Sequence, residues 1–125
     1  MISLDEALAI HSQIVAETGG ANGVRDQGGL EAALARPHAT FGGDDLYPDP
    51  ISKAAAIAES IIKNHPFVDG NKRTGYILMR LTLITYGLDV VASDDDEYDL
   101  VIAIATGKMD VDAIKEWLST HVKSA

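Results

Sequence analysis

The sequence predicts an all-α fold, in which helices are joined by short irregular segments. Apolar residues recur close to every 3.6 positions in successive segments, capping residues precede these segments, and glycines follow several of them. The only strand-like fragment, Asp89 to Ala92, is too short to form a sheet alone. The chain has 125 residues, enough for one domain with a real core. We therefore expect a single helical domain over residues 1–125.

The predicted helices follow one another along the whole chain. The first, Leu4 to Thr18, begins with a capping box formed by Ser3 and Glu6 and ends at Gly19-Gly20. The others are Leu30 to Ala35, Ile51 to Asn64, Thr74 to Tyr86, a helix that Ser93 caps and Gly107 closes, and Val111 to His121. One long irregular segment, Pro37 to Pro50, interrupts this series, and loops of such length in compact domains are usually functional or mobile.

Composition and charge exclude several classes of function. A net charge of −9 argues against nonspecific nucleic-acid binding, which depends on basic patches. The absence of cysteine rules out disulfides, thiolate chemistry and cysteine-based metal sites. The amino terminus lacks the basic region of a signal peptide, and no apolar run is long enough to cross a bilayer. We expect a cytoplasmic protein that binds neither nucleic acid nor a membrane.

The most informative stretch is His-Pro-Phe-Val-Asp-Gly-Asn-Lys-Arg, residues 65–73, directly before a predicted helix. A polar loop at a helix N-terminus is an anion site, because free N–H groups and the helix dipole point into it. His65 is a candidate general base that titrates near neutral pH. Asp69 could hold Mg²⁺ together with phosphate oxygens and water. Gly70 would let a phosphate approach the backbone closely, so the loop indicates phosphoryl or nucleotidyl transfer.

The last three residues of the stretch add donors and positive charge. Asn71 could donate to an oxyanion or cap the following helix, Lys72 supplies a point charge, and Arg73 can hold a phosphate through two parallel hydrogen bonds. Each residue alone also admits a structural role: a histidine at a helix end, a capping Asp or Asn, or surface cations. Six such residues around one tight loop favour a functional site.

This stretch resembles the signature loop of the Fic (filamentation induced by cAMP) superfamily, and in particular its death-on-curing, or Doc, branch. Fic loops generally read His-Pro-Phe-x-Asp/Glu-Gly-Asn-Gly-Arg, whereas Lys72 replaces the last glycine here, as is typical of Doc proteins. Gly23 to Glu31 and Ala35 to Pro37 resemble the stretch that lies upstream in the family. The resemblance covers almost the whole chain and implies a compact helical bundle of the Fic/Doc type, with a short irregular or β-like flap.

The resemblance also implies roles for the matching positions. His65 would deprotonate a target hydroxyl, Asp69 would coordinate Mg²⁺, Gly70 and Asn71 would form an anion nest, and Lys72 and Arg73 would bind the phosphates of ATP. Fic proteins mostly transfer AMP, whereas Doc proteins are implied to reverse the nucleotide so that the γ-phosphate faces the acceptor. The implied function is a toxin-type protein kinase that phosphorylates translation elongation factor Tu and arrests translation. The flap, Pro37 to Pro50, would align the target peptide by strand-like pairing.

A regulatory partner is implied by the absence of a self-inhibitory motif. Many Fic enzymes carry an inhibitory Ser/Thr-x-x-x-Glu-Gly/Asn, and the nearest match, Ser93 with Glu97, fails because Tyr98 follows. In Doc-type systems a separate antitoxin supplies the inhibition through a disordered segment that folds on binding. We therefore expect a cognate antitoxin as a partner.

Two alternative functions stay open at this stage. One is a protein adenylyltransferase, which would transfer AMP from the same loop. The other is a noncatalytic interaction module that keeps the fold. A helical metal-dependent phosphohydrolase is disfavoured, because the four histidines lack ligand spacing and none is followed by Asp.

Overall fold

The computed structural model describes residues 1–125 and has six α-helices, as the sequence predicts. They are α1 (Leu4–Thr18), α2 (Gln27–Ala35), α3 (Pro50–Asn64), α4 (Asn71–Ile84), α5 (Asp94–Ala105) and α6 (Val111–His121). Two antiparallel pairs of very short strands accompany them, β1 (Thr40–Phe41) with β2 (Asp44–Asp45) and β3 (Leu88–Val90) with β4 (Val122–Ser124). No helix is long and apolar enough to cross a membrane.

Helices α3 and α4 form the centre of the fold and approach each other closely. Gly75 makes this possible, because a Cβ at that position would lie only 2.5 Å from Cγ1 of Ile62. Helix α3 is buried along most of its length, as its Ala- and Ile-rich sequence requires. The loop that joins the two helices, residues 65–70, is therefore held between two directly packed elements.

Buried apolar side chains form two clusters, one on each side of α3. The larger cluster packs α3 and α4 against α5, α6 and β3, with Met79, Leu100 and Ile114 among its members. The smaller one packs α1 and α2 against α3 and includes Phe67 of the loop, together with Leu30. The loop is thus part of the core as well as a connection.

Local capping interactions set most helix starts. The predicted capping box of Ser3 and Glu6 is present at α1. A second box begins α3, where Asp49 accepts from the backbone N–H of Ser52 and Pro50 occupies the first helical position. Such side chains satisfy N–H groups that a helix leaves unpaired, so these boundaries follow from local sequence.

Two predicted helices begin earlier than expected. Helix α2 starts at Gln27 rather than Leu30, because the Asp26 carboxylate caps it by accepting from the backbone N–H of Gly29 at 2.9 Å. Helix α4 starts at Asn71 rather than Thr74, because Gly70 adopts the left-handed conformation (φ 76°) and turns the chain directly into the helix. The final residues of the signature stretch therefore lie within the first turn of α4.

The segment Pro37 to Pro50 is more regular than predicted. It begins within a 3₁₀ turn, Arg36–His38, and continues into the two-stranded hairpin of β1 and β2, so the expected β-like flap is confirmed. The predicted strand near Asp89 is also present, as β3. It pairs with β4, a segment for which the sequence analysis predicted no strand.

Candidate functional site

The site begins where α3 ends, at a strained residue. His65 has φ 52° and ψ 60°, and it is the only residue other than glycine with a positive φ. For such a residue this conformation is unfavourable and needs support from its surroundings. Arg25 gives that support: its Nε donates to the backbone oxygen of His65 at 2.7 Å, and its Nη2 donates to that of Asn64 at 2.6 Å.

The segment between α1 and α2 holds the loop in place through backbone hydrogen bonds. The carbonyl of Pro66 accepts from the backbone N–H groups of both Arg25 and Asp26. Two residues later, the N–H of Val68 donates to the carbonyl of Gly23 at 3.0 Å. These bonds fix the backbone on both sides of Phe67. They show that the upstream stretch, Gly23 to Glu31, supports the loop through its first residues.

Phe67 anchors the loop from below. Its side chain is completely buried, and its ring stacks on that of His11 with centroids 3.8 Å apart. The side chain of Asn71 holds its backbone, accepting from the N–H of Phe67 at 2.9 Å and donating to its carbonyl at 3.0 Å. Both polar groups of the Asn71 side chain are thus engaged inside the protein, and what this residue presents to a ligand is its backbone N–H.

The Asp69 carboxylate lies at the exposed rim of the loop. Its Oδ1 accepts from the N–H of Gly70 at 2.8 Å, and its Oδ2 accepts from the N–H of Ala21 at 3.2 Å. The two backbone hydrogen bonds lower the pKa of Asp69, with that from Gly70 the larger cause. The carboxylate is consequently ionised at neutral pH. Gly20 lies against it, since a Cβ there would meet Oδ2 at 2.7 Å.

An anion nest is formed where α4 begins. Gly70 provides no side-chain cap, so the N–H groups of Asn71, Lys72 and Arg73 have no acceptor within the protein. The left-handed Gly70 followed by helical residues turns successive N–H groups toward one concave surface. The side chains of Lys72 and Arg73 are exposed and take no part in the four ion pairs of the molecule. The geometry can bind a phosphate.

All six predicted site residues line one open cavity of about 520 Å³. They are His65, Asp69, Gly70, Asn71, Lys72 and Arg73. A second cavity of about 570 Å³ lies between α4 and α5 and shares Lys72 and Arg73 with the first. Its other walls include Tyr98, Ile77 and Glu97. The nest therefore lies between two spaces, each large enough for a small organic ligand.

No group of three or more His, Asp or Glu side chains is arranged to hold a metal ion. The site therefore offers no cluster of carboxylate and imidazole ligands, which does not conflict with Mg²⁺. Mg²⁺ commonly uses one or two carboxylates and takes its other ligands from phosphates and water. Asp69 fits this pattern, because its carboxylate is ionised, exposed and beside the anion nest.

Two residues that shape the site were not singled out by sequence reasoning. His11 lies beneath the loop, where its Nε2 is 2.7 Å from the backbone oxygen of Asp69. Arg25 was noticed only as part of an upstream stretch. A signal for His11 was present, since it lies on the apolar face of α1, four residues after Ala7 and three before Ile14. A histidine on such a face needs a buried partner.

Comparisons with known proteins identify the family of this chain. The family model described as Fic/DOC family matches residues 1–83. The chain is 41% identical over 109 residues to "Toxin Doc" of Mycolicibacterium smegmatis, covering 86% of this chain and 84% of that protein. It is 30% identical over 124 residues to "Protein kinase doc" of Escherichia phage P1, covering 99% and 97% of the two chains. A Fido domain-containing protein of Dictyostelium discoideum is 40% identical over 52 residues, which are 39% of this chain and 36% of that protein. The chain belongs to the Fic/DOC family.

Proposed function

We propose that this protein is a toxin-type protein kinase that transfers the γ-phosphate of ATP to a hydroxyl side chain. The observation that carries the proposal is the exposed His65 on the same cavity wall as the three free N–H groups at the start of α4. A base and a preorganised anion nest in one cavity are what phosphoryl transfer needs. The names of two relatives, a toxin and a protein kinase, support the same reading.

In the proposed reaction, His65 accepts the proton of the acceptor hydroxyl. The hydroxyl oxygen then forms a bond to the γ-phosphorus, the bond from that phosphorus to the bridging oxygen breaks, and ADP leaves. Charge on the phosphate oxygens is stabilised by the N–H groups of Asn71, Lys72 and Arg73 and by the two cationic side chains. Because Phe67 and Asn71 lock the loop, these donors are already in place before ATP binds.

Asp69 is the residue that would hold Mg²⁺. The ion, when bound with ATP, would neutralise phosphate charge and orient the chain of phosphates. The contribution of Asp69 is an ionised carboxylate fixed by two backbone hydrogen bonds, so its orientation does not depend on the ligand. The fixed orientation is an advantage for binding, because little side-chain freedom is lost.

The hairpin of β1 and β2 is the proposed docking element for the target. Its Phe41 side chain is 80% exposed, and its two-residue strands leave outer edges for a further strand to pair with. Two anchors hold its base: Tyr47 accepts from Nε of Arg36 at 2.9 Å, and the buried Lys53 donates to the carbonyl of Pro37 at 3.0 Å. We propose elongation factor Tu as the target, with arrest of translation as the result.

The biological setting that we propose follows from the proposed kinase activity on a translation factor. A toxin that modifies a translation factor acts in the cytoplasm and needs restraint between episodes of activity. We propose a cognate antitoxin, whose disordered segment folds when it binds this chain.

Protein adenylylation is the alternative that the second cavity favours. Cavities of similar size lie on the two sides of Lys72 and Arg73, about 520 Å³ and 570 Å³. The nucleoside could therefore extend in either direction from the nest. One direction presents the γ-phosphate to His65 and the other presents the α-phosphate, which would lead to transfer of AMP.

The test is incubation with elongation factor Tu and ATP labelled at either the α or the γ position. Label from the γ position alone supports the kinase, and label from the α position alone supports adenylylation. His65→Ala should abolish transfer in both cases. If that variant remains as toxic to cells as the unaltered protein, toxicity does not come from catalysis by this loop, and the family fold acts here as an interaction module.

A further inference from the structure

One titratable side chain beneath the site has no part in the proposed reaction. His11, in the middle of α1, is only 2% exposed and lies on a face otherwise formed by Ala7, Ile14 and Val15. It is the only histidine among the buried residues. Burying a polar ring costs free energy unless it is hydrogen-bonded, so its contacts show what holds it there.

Two specific interactions of the His11 ring, a stack and a hydrogen bond, are both with the loop. Its ring stacks on Phe67 with an interplanar angle of 7°. Its Nε2 is 2.7 Å from the backbone oxygen of Asp69. A carbonyl oxygen can only accept, so Nε2 must carry a hydrogen and donate it. The one hydrogen bond of this ring therefore ends on the peptide that joins Asp69 to Gly70.

That peptide determines the geometry of the site. Its N–H, that of Gly70, donates to Oδ1 of Asp69 at 2.8 Å. Its orientation also sets the left-handed conformation from which α4 begins. A bond that holds the carbonyl end thus fixes the carboxylate and the nest together. The ring of His11 lies directly below, since a Cβ on Gly70 would be 3.6 Å from Nε2.

We propose that His11 is a positioning residue, which orients the Asp69–Gly70 peptide and thereby the carboxylate and anion nest that bind Mg²⁺ and ATP. The consequence for Mg²⁺ and ATP rests on the proposed function, whereas the orientation of the peptide does not. The opposing view is that His11 only fills space in the core. The two views differ in the effect of removing the donor while the ring is kept.

A pair of substitutions separates the donor from the stacked ring. His11→Phe keeps an aromatic ring against Phe67 and removes the donor. His11→Gln removes the ring and keeps a side-chain N–H that can reach the carbonyl. If the hydrogen bond matters, His11→Gln should resemble the unaltered protein in the site more closely than His11→Phe does. If His11 only fills space, the order should be reversed.

Amide hydrogen exchange tests the orientation without any ligand. In His11→Phe we expect faster exchange at Ala21 and Gly70, whose N–H groups bind the Asp69 carboxylate, with the helices beyond α1 unchanged. In His11→Gln these two amides should exchange within about threefold of the unaltered rate. Unchanged exchange at both amides in His11→Phe, or faster exchange spread evenly over all helices, would overturn the proposal.

Calorimetric titration with a non-hydrolysable ATP analogue and Mg²⁺ tests the consequence for binding. We expect His11→Phe to weaken binding about tenfold, the effect of one lost buried hydrogen bond, and His11→Gln to weaken it less than about threefold. Equal weakening in the two variants would overturn the positioning role. If the unaltered protein does not bind the analogue at all, the proposed function fails, and the exchange experiment still decides the role of His11.

A measurement on the unaltered protein guards against variants that fail to fold. Long-range ¹H–¹⁵N spectra of the imidazole ring distinguish a protonated Nε2 from a bare one. We expect Nε2 to be protonated and its proton to exchange slowly with water. A bare Nε2 would exclude the hydrogen bond to Asp69 and overturn the proposal.

Discussion

Replacing Gly75 by Ala tests the close approach of α3 and α4, on which the position of the loop depends. The added methyl would lie 2.5 Å from Cγ1 and 3.1 Å from Cδ1 of Ile62, and 3.3 Å from Cβ of Ile61. Non-bonded carbons prefer about 3.5–4.0 Å, so the helices must separate by about 1 Å. Ile61 and Ile62 are completely buried, so they cannot relieve the clash by moving into solvent.

The expected loss of stability follows from two opposing contributions. Overpacking of a core costs about 1–3 kcal/mol, and the rigid surroundings favour the upper half of that range. Alanine gains about 1 kcal/mol over glycine in a helix interior. We expect Gly75→Ala to lower the free energy of unfolding by about 1–2 kcal/mol, or the melting temperature by roughly 4 °C per kcal/mol.

Urea unfolding followed by circular dichroism is the assay, with Gly28→Ala as the matched control. Gly28 also lies in a helix, but it is exposed, and the nearest atom to an added Cβ is 3.7 Å away. The control should gain about 0.5–1 kcal/mol, because only the helix propensity changes. If Gly75→Ala proves as stable as Gly28→Ala, the stability of the fold does not depend on the close contact between α3 and α4. Transfer activity should fall with Gly75→Ala and not with the control.

Three further perturbations probe the flap, the loop anchor and an ion pair. Arg36→Met should lower the free energy of unfolding by about 2 kcal/mol, because it leaves the largely buried Glu59 without its cation. The same substitution should raise KM for the protein target more than KM for ATP, because Arg36 holds the base of the flap. Phe67→Ala should cost about 4 kcal/mol in urea unfolding, since it empties a fully buried site. The Arg80 guanidinium lowers the pKa of Asp89, so their ion pair should stabilise the fold above about pH 4 and lose this effect as the pH falls further. Asp89→Asn should therefore be less stable than the unaltered protein at pH 7, and the difference in stability should shrink as the pH falls below about 4.

Each of these three has an outcome that would contradict it. Equal changes in the two KM values for Arg36→Met would mean that the flap does not take part in target binding. Tyr47→Phe is the milder control, because it removes the hydrogen bond to Arg36 and retains the ring. For Phe67→Ala, a loss below about 1 kcal/mol would mean that the loop is not part of the core. A constant difference between Asp89→Asn and the unaltered protein at all pH values would show that Asp89 does not titrate as described.

Most of the fold could be predicted because its helix boundaries are local. Ser3, Ser93 and Asp110 each cap the helix that the periodic pattern indicates, and Gly19 ends the first. The features that the sequence did not predict also have physical causes. The pairing of β3 with β4 joins residues that are far apart in sequence, and such contacts leave no mark in a local pattern. The early start of α4 depends on the left-handed Gly70, which loop composition alone did not reveal.

The residues of the candidate site could be predicted from the sequence, but the contacts among them could not. All six predicted site residues line one cavity, because five of the six are neighbours in sequence and the sixth, His65, begins the same loop. The Asn71 side chain matches neither of its two predicted roles, an oxyanion donor or a helix cap. It turns inward to the backbone of Phe67, a contact that the sequence pattern does not reveal. The contributions of His11 and Arg25 come from segments about 40 to 60 positions away, as their hydrogen bonds to residues 64–69 show. No rule of spacing connects residues so far apart.

Mass spectrometry of elongation factor Tu after incubation with this protein, ATP and Mg²⁺ distinguishes phosphate transfer from AMP transfer. We expect one added phosphate on a hydroxyl side chain, formed by the unaltered protein and absent with His65→Ala. An added AMP would replace the kinase by the adenylyltransferase. An unmodified target, under conditions in which the protein stops translation, would contradict the claim that the loop from His65 to Arg73 transfers phosphate to this factor.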